Sequence, residues 1–395
     1  MADGKSYAIV TMAYWGFTIT DGALRMLVLL NFHAMGYQPL ELAFLFLLYE
    51  AMGIMTNFVG GWIGARFGLR LTLYMGLALQ IAALTMLAFL PESLNMASAV
   101  IYIMITQAMS GCAKDLTKMS SKSAVKLVVP EGGDSLLFKW VSLLTGSKNA
   151  LKGFGFFVGG FLLTVTGFFY ALIIMAVVLL MILVLCICCL TQELGKSKVK
   201  IKKRELVFKS RPINLLSAAR IFLFASRDVW FVVGLPVFLS SVAGWSFDQT
   251  GGFMAIWVIG YGIIQALVPK FLKNTNDSVT AISSAANWGW ILVLITILIM
   301  FVGDNVALML AGLMVFGVVF AFNSSLHSYL IVALSDHEKV SLNVGFYYMA
   351  NAIGRFLGTL LSGLVYQYYG LEACLAVSSG MILMSVLLVR RINNE

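Results

Sequence analysis

Among the charged side chains in or beside stretches of this chain that are otherwise apolar and long enough to cross a bilayer, eight cations and four anions stand out as able to converge. The cations are Arg25, Lys114, Lys118, Lys148, Lys152, Arg220, Arg227 and Arg355; the anions are Asp21, Glu50, Asp115 and Asp228. A charge at the bilayer centre costs roughly 2.5–3.5 kcal/mol on the insertion scale. Such residues persist where they face a cavity, pair with one another or do a job. Arginine suits phosphate-like groups through paired hydrogen bonds from its planar fork, and lysine supplies a point charge. The excess of cations is hard to hold in low dielectric without an anionic guest. The chemistry these residues predict is therefore recognition of a small molecule with several negative charges.

Spacing refines this set. Asp21 and Arg25 are four apart and share a helical face, so they read as binding groups or as an ion pair internal to their span. Lys148 and Lys152 repeat that spacing near a span start, where a lysine also snorkels readily, and Lys114 and Lys118 carry the same two readings. Arg220 and Arg227 are seven apart on one face. Arg227 and Asp228 are adjacent, which predicts different directions and different partners. Arg220 and Arg355 lie well inside their spans with no acidic residue within one turn, and are the strongest candidates. The predicted substrate-binding set is Arg25, Lys118, Lys148, Lys152, Arg220, Arg227 and Arg355. Asp21, Glu50, Asp115 and Asp228 are assigned to charge pairing or proton coupling.

Other chemistry finds less support. His33 and His327 suit proton relay or polar packing between helices. Cys186, Cys188 and Cys189 fit no zinc spacing and have no histidine or acid beside them, so no metal and no cofactor is predicted. No nucleophile–base set and no Walker motif is present, which argues against an enzyme and against direct ATP drive.

The elements that must position these charges follow from composition. The chain has 395 residues, 60% hydrophobic and 11% charged, where a soluble domain carries about 25% charged residues. That excludes an ordinary cytosolic enzyme and a disordered chain. A spanning helix needs about 20 apolar residues, and twelve fit: 7–33, 40–63, 69–90, 96–117, 142–166, 168–191, 212–242, 248–270, 278–302, 304–332, 341–368 and 371–390. The first stretch is too long for a signal-peptide core and runs straight into the second.

One set of connections (Gly36–Pro39, Pro91–Asn95, Gly167, Ala243–Phe247, Gly303–Asn305, Tyr369–Leu371) contains no Lys or Arg. The basic residues gather on the other side, which the positive-inside rule makes cytoplasmic, with both termini. The net charge of +9 is thus read as topology, and nucleic acid is not expected. The stretch 192–211 is a basic cytoplasmic linker between a six-helix bundle at 1–191 and another at 212–395. The halves look like distant repeats: Asp21 and Asp228 open similar runs, and Asn149-Ala150 matches Asn351-Ala352. Two parallel halves with sites between them is a transporter pattern.

Between the second and third spans lies Gly61-Trp62-Ile63-Gly64-Ala65-Arg66-Phe67-Gly68-Leu69-Arg70. It resembles the loop motif of the major facilitator superfamily, with Gly61, Arg66, Gly68 and Arg70 matching and Ala65 standing where that family has Asp. These four residues are read as a gating loop. The run Gly153-Phe154-Gly155-Phe156-Phe157-Val158-Gly159-Gly160 is similar to the fifth helix of drug antiporters, and reads equally as close packing by small residues. The fold class is therefore all-α integral membrane, major-facilitator-like, with twelve transmembrane helices in two pseudo-symmetric six-helix bundles. By analogy with that fold, spans 1, 4, 7 and 10 line a cavity with 2, 5, 8 and 11 beside them, so most of the charges can converge.

A narrower resemblance rests on four stretches: Tyr14–Met26, Ala113–Ser120, Leu144–Gly153 and Ser226–Phe238. They are similar to organoarsenical efflux permeases of the ArsJ type. The resemblance implies export of 1-arseno-3-phosphoglycerate by alternating access, and hence arsenate resistance, in the bacterial inner membrane. It implies glyceraldehyde-3-phosphate dehydrogenase as metabolic supplier of that compound, which falls apart outside the cell to arsenate and phosphoglycerate. A monomer in a lipid bilayer is expected. The rivals are a major facilitator carrier of another organic phosphate or carboxylate, and a non-transporting membrane anion sensor. The site residues above come from charge and position, not from the resemblance.

Overall fold

The structure is a computed structural model. It describes residues 2–67, 69–124, 134–190, 209–271, 278–302, 305–335 and 340–392, with side chains described outside 2–6, 58–67, 69, 119, 122–124, 134–146, 269–271 and 340–342.

Among the described residues every regular element is helical: α1 (Ala2–Ala34), α2 (Pro39–Phe67), α3 (Leu69–Ala88), α4 (Met96–Ala124), α5 (Asp134–Cys189), α6 (Arg211–Phe231), α7 (Gly234–Ser241), α8 (Phe247–Phe271), α9 (Ser278–Phe301), α10 (Val306–Ala333) and α11 (Val340–Arg390). Two of these are double. α5 breaks at Gly167 (φ 75°) and α11 at Gly370 (φ 76°), a conformation that only glycine adopts without strain. Taking α5 and α11 as two limbs each, and α6–α7 as one interrupted span, gives the twelve passes that the hydropathy predicts. The stretch Ser147–Cys189 is 43 residues long, and within its most apolar 18-residue window only 28% is buried, which leaves a large apolar exterior suited to lipid.

The interruption between α6 and α7 is satisfied internally, as the bilayer requires. The N–H groups of Val233 and Gly234 both donate to Ser362 Oγ of α11, at 3.1 Å each. Ser362→Ala strands both donors and should lower stability by about 1–3 kcal/mol. Thermal unfolding in detergent checks this, and an unchanged melting temperature contradicts it.

The chain forms two compact units. The first holds Met1–Ala34, Met55–Lys200 and Ser246–Ile259; the second holds Met35–Ile54, Ile201–Trp245 and Gly260–Glu395. In the first unit α1 packs on α5 through glycines. Gly155 and Gly159 sit against the backbone of Ile19 and Ala23, and Gly22 against Gly155. The same α5 stripe takes the start of α8, with Gly153 against the Ala255 carbonyl and Gly160 against Phe247. The glycine-rich run is thus a close-packing surface on two sides. In the second unit Trp230 packs edge-on against Phe316 at 5.3 Å, and Gly354 and Gly358 of α11 sit against Ile221 and Ala225 of α6. The start of α2 lies on α11, where Leu40 N–H donates to Gln367 Oε1 at 3.0 Å and Gly363 meets Pro39 and Ala43.

The local conformations repeat between the two halves of the sequence. The positive-φ glycines come in two matched pairs, Gly36 with Gly244 and Gly167 with Gly370. α2 and α8 open with the same device, in which Gln38 N–H donates to Glu41 Oε2 (2.8 Å) and Ser246 N–H to Gln249 Oε1 (3.0 Å). α4 and α10 are both capped by an asparagine, Asn95 and Asn305, whose Oδ1 accepts from the third residue on (2.9 and 3.1 Å).

Candidate functional site

Each unit gathers buried charge, and the two are built differently. In the first, Asp115 of α4 is 1% exposed. It accepts from the Thr56 hydroxyl and pairs with Lys118 Nζ at 3.4 Å. Lys118 also donates to Asn57 Oδ1 at 3.0 Å. Lys114 and Lys148 lie within electrostatic range of the same carboxylate. One lysine thus pairs with this aspartate and two more act on it at longer range. Asp21 pairs with Lys152 of α5 at 3.6 Å, and Arg25, one turn along α1, is half-buried.

In the second unit Asp228 and Glu50 are each 1% exposed. Arg355 of α11 donates to Glu50 Oε1 at 2.6 Å and stands 3.7 Å from Asp228 Oδ2. Arg227 folds back onto its neighbour, with Nη2 at 2.5 Å and Nε at 2.6 Å from Asp228 Oδ1. The expectation that Arg227 and Asp228 serve different partners is therefore corrected. The long arginine side chain curls along the helix and reaches the adjacent carboxylate that a shorter one could not. Two arginines and two carboxylates are thus paired in this unit. The pairs Asp21–Lys152 and Asp228–Arg355 are repeat equivalents, each linking the first helix of a half to its fifth.

Arg220 of α6 departs from this pattern. It is 4% exposed, and among the described residues no carboxylate lies within ion-pair distance of it. Its Nε donates to Asn351 Oδ1 at 3.0 Å, and its Nη1 to Ser324 O at 3.1 Å and Ser324 Oγ at 3.2 Å. The guanidinium carbon lies 4.0 Å from the Phe224 ring centre and 4.9 Å from that of Tyr347. Such contacts favour a cation without cancelling its charge. Its surroundings, Asn351, Ser324, Phe224 and Tyr347, were not site candidates in the sequence. The signal for Ser324 was present as a run of polar residues, Asn323-Ser324-Ser325 and His327-Ser328, inside an apolar span.

Of the loop motif, Arg70 is described. Its Nε donates to Tyr74 Oη at 3.2 Å, and that hydroxyl donates to the Cys186 carbonyl at 2.8 Å. Gly61 and Arg66 fall on the helical backbone of α2 with their side chains outside the described residues, and Gly68 lies outside them altogether. The basic linker lies outside them up to residue 208; beyond it, Lys209 Nζ sits 5.9 Å from the Phe346 ring centre.

The fold places the chain among known proteins. A crystal structure of a bacterial homologue of the iron transporter ferroportin, in an outward-facing state, superposes with a TM-score of 0.69, covering 99% of this chain and 100% of that one at 15% identity. At that identity the likeness is one of fold. No curated protein matches the sequence. The sequence profile of the Major Facilitator Superfamily matches residues 6–286. A multi-pass helical membrane protein with an internal repeat and buried charge in each unit fits that match, and the chain belongs to the Major Facilitator Superfamily.

Proposed function

We propose that this transporter carries an organic oxyanion, and that its cargo is 1-arseno-3-phosphoglycerate, moved out of a bacterial cell through the inner membrane by alternating access. The observation that carries the anionic part is Arg220, a buried guanidinium held, among the described residues, by neutral partners only. A lone buried charge costs several kcal/mol, and a chain that keeps one gains a fixed positive point for a ligand. The three lysines around Asp115 support the same reading in the first unit. The arsenical identity rests on the resemblance of four stretches to organoarsenical efflux permeases. Export of a polyanion runs with an inside-negative potential, at about 2.3 kcal/mol per charge per 100 mV. The basic connections support cytoplasmic termini.

The test is arsenate tolerance in a transporter-deficient bacterium that co-expresses glyceraldehyde-3-phosphate dehydrogenase. The wild-type chain should protect only when the dehydrogenase is present. Protection without it points to export of arsenate itself. No protection, with efflux of phosphoglycerate in vesicles, points to a carrier of an ordinary organic phosphate.

A further inference from the structure

The guanidinium of Arg220 carries five N–H groups in a rigid planar fork. Two of its three nitrogens are already engaged, Nε by Asn351 and Nη1 by Ser324. Ser324 is itself fixed, since Tyr261 Oη lies 3.3 Å from its Oγ and Ser328 Oγ donates to its carbonyl at 2.9 Å. The aromatic rings of Phe224 and Tyr347 pack against the guanidinium. Nη2 alone donates to no described residue. One nitrogen edge is therefore presented, on a group that cannot swing.

The charge around it is equally defined. Among the described residues Arg227 and Arg355 are each paired with a carboxylate, whereas Arg220 has none within ion-pair distance. A singly charged oxyanion on Nη2 balances it. A dianion would leave one negative charge uncompensated in low dielectric, which is strongly unfavourable. Dianionic phosphate also favours several convergent donors, and one edge supplies too few.

We propose that Arg220 is the subsite for a singly charged oxyanion group of the cargo, a carboxylate or an acyl-linked oxyanion, and that Asn351 is its positioning residue. Asn351 holds the fork in place as a neutral amide. A carboxylate in that position would hold it equally well and neutralise it. This inference rests on the organic-oxyanion reading above.

The experiment compares two probes on the purified full chain in lipid nanodiscs. 3-Phosphoglycerate carries a carboxylate and a phosphate, and glycerol 3-phosphate carries the phosphate alone. Wild type should prefer 3-phosphoglycerate by roughly 10- to 100-fold, the value of a hydrogen bond to a charged group. Arg220→Gln and Asn351→Asp should each collapse that ratio to about twofold or less, because one removes the charge and the other cancels it. A ratio unchanged in either variant, including a loss of both affinities in proportion, overturns the subsite. Wild type that binds neither probe overturns the organic-oxyanion reading itself.

Discussion

Arg220→Gln should abolish transport while leaving the protein at least as stable as wild type. Loss of a charge-assisted contact worth up to about 3 kcal/mol corresponds to roughly a hundredfold fall in transport. Stability should move the other way. Wild type carries the desolvation cost of a guanidinium with no acid beside it among the described residues, and glutamine keeps a polar head for Asn351 and Ser324 without the charge. Loss of activity with gain of stability marks a residue kept for function. Counterflow of labelled substrate in proteoliposomes and thermal unfolding of the same preparation read the two quantities. A variant that transports normally, or one that is inactive because it unfolds, contradicts the account.

Glu50→Leu should show the opposite signature, a large loss of stability. Glu50 is fully enclosed and accepts from Arg355 at 2.6 Å, and removing it takes away the nearest carboxylate of Arg355 and leaves Arg227 and Arg355 to share Asp228. Breaking a buried pair by removing one partner costs about 3–5 kcal/mol. The double variant Glu50→Leu with Arg355→Met leaves the neutral Arg227–Asp228 pair and should recover most of that loss. A double-mutant cycle on melting temperatures checks this. Additive losses, or a single variant as stable as wild type, would show that the pair does not act as one unit.

The sequence located the charges and not their partners. Hydropathy fixed the twelve passes, and Gly167 and Gly370 mark their breaks because the chain turns there with φ positive. The repeat was read from Asp21 with Asp228 and from Asn149 with Asn351; the caps at Asn95 and Asn305 and the ion pairs of Asp21 and Asp228 are further likenesses that local spacing did not reveal. Arg220 and Arg355 looked alike, since each is a base in an apolar span with no acid within a turn. The fold separates them. Arg355 meets a carboxylate 305 residues away in the sequence, and Arg220 meets an amide and a serine. No local spacing could distinguish these outcomes, because both depend on which helices pack together. Arg227 and Asp228 misled for the converse reason: helical direction applies to Cβ, and a long side chain is free to turn back.

The most direct measurement is an experimental structure of the full chain with 3-phosphoglycerate bound. The account predicts a carboxylate oxygen at about 3 Å from Arg220 Nη2, with Asn351 and Ser324 still holding the other two nitrogens. A ligand seated away from Arg220, with Nη2 turned onto a protein acceptor, would contradict it.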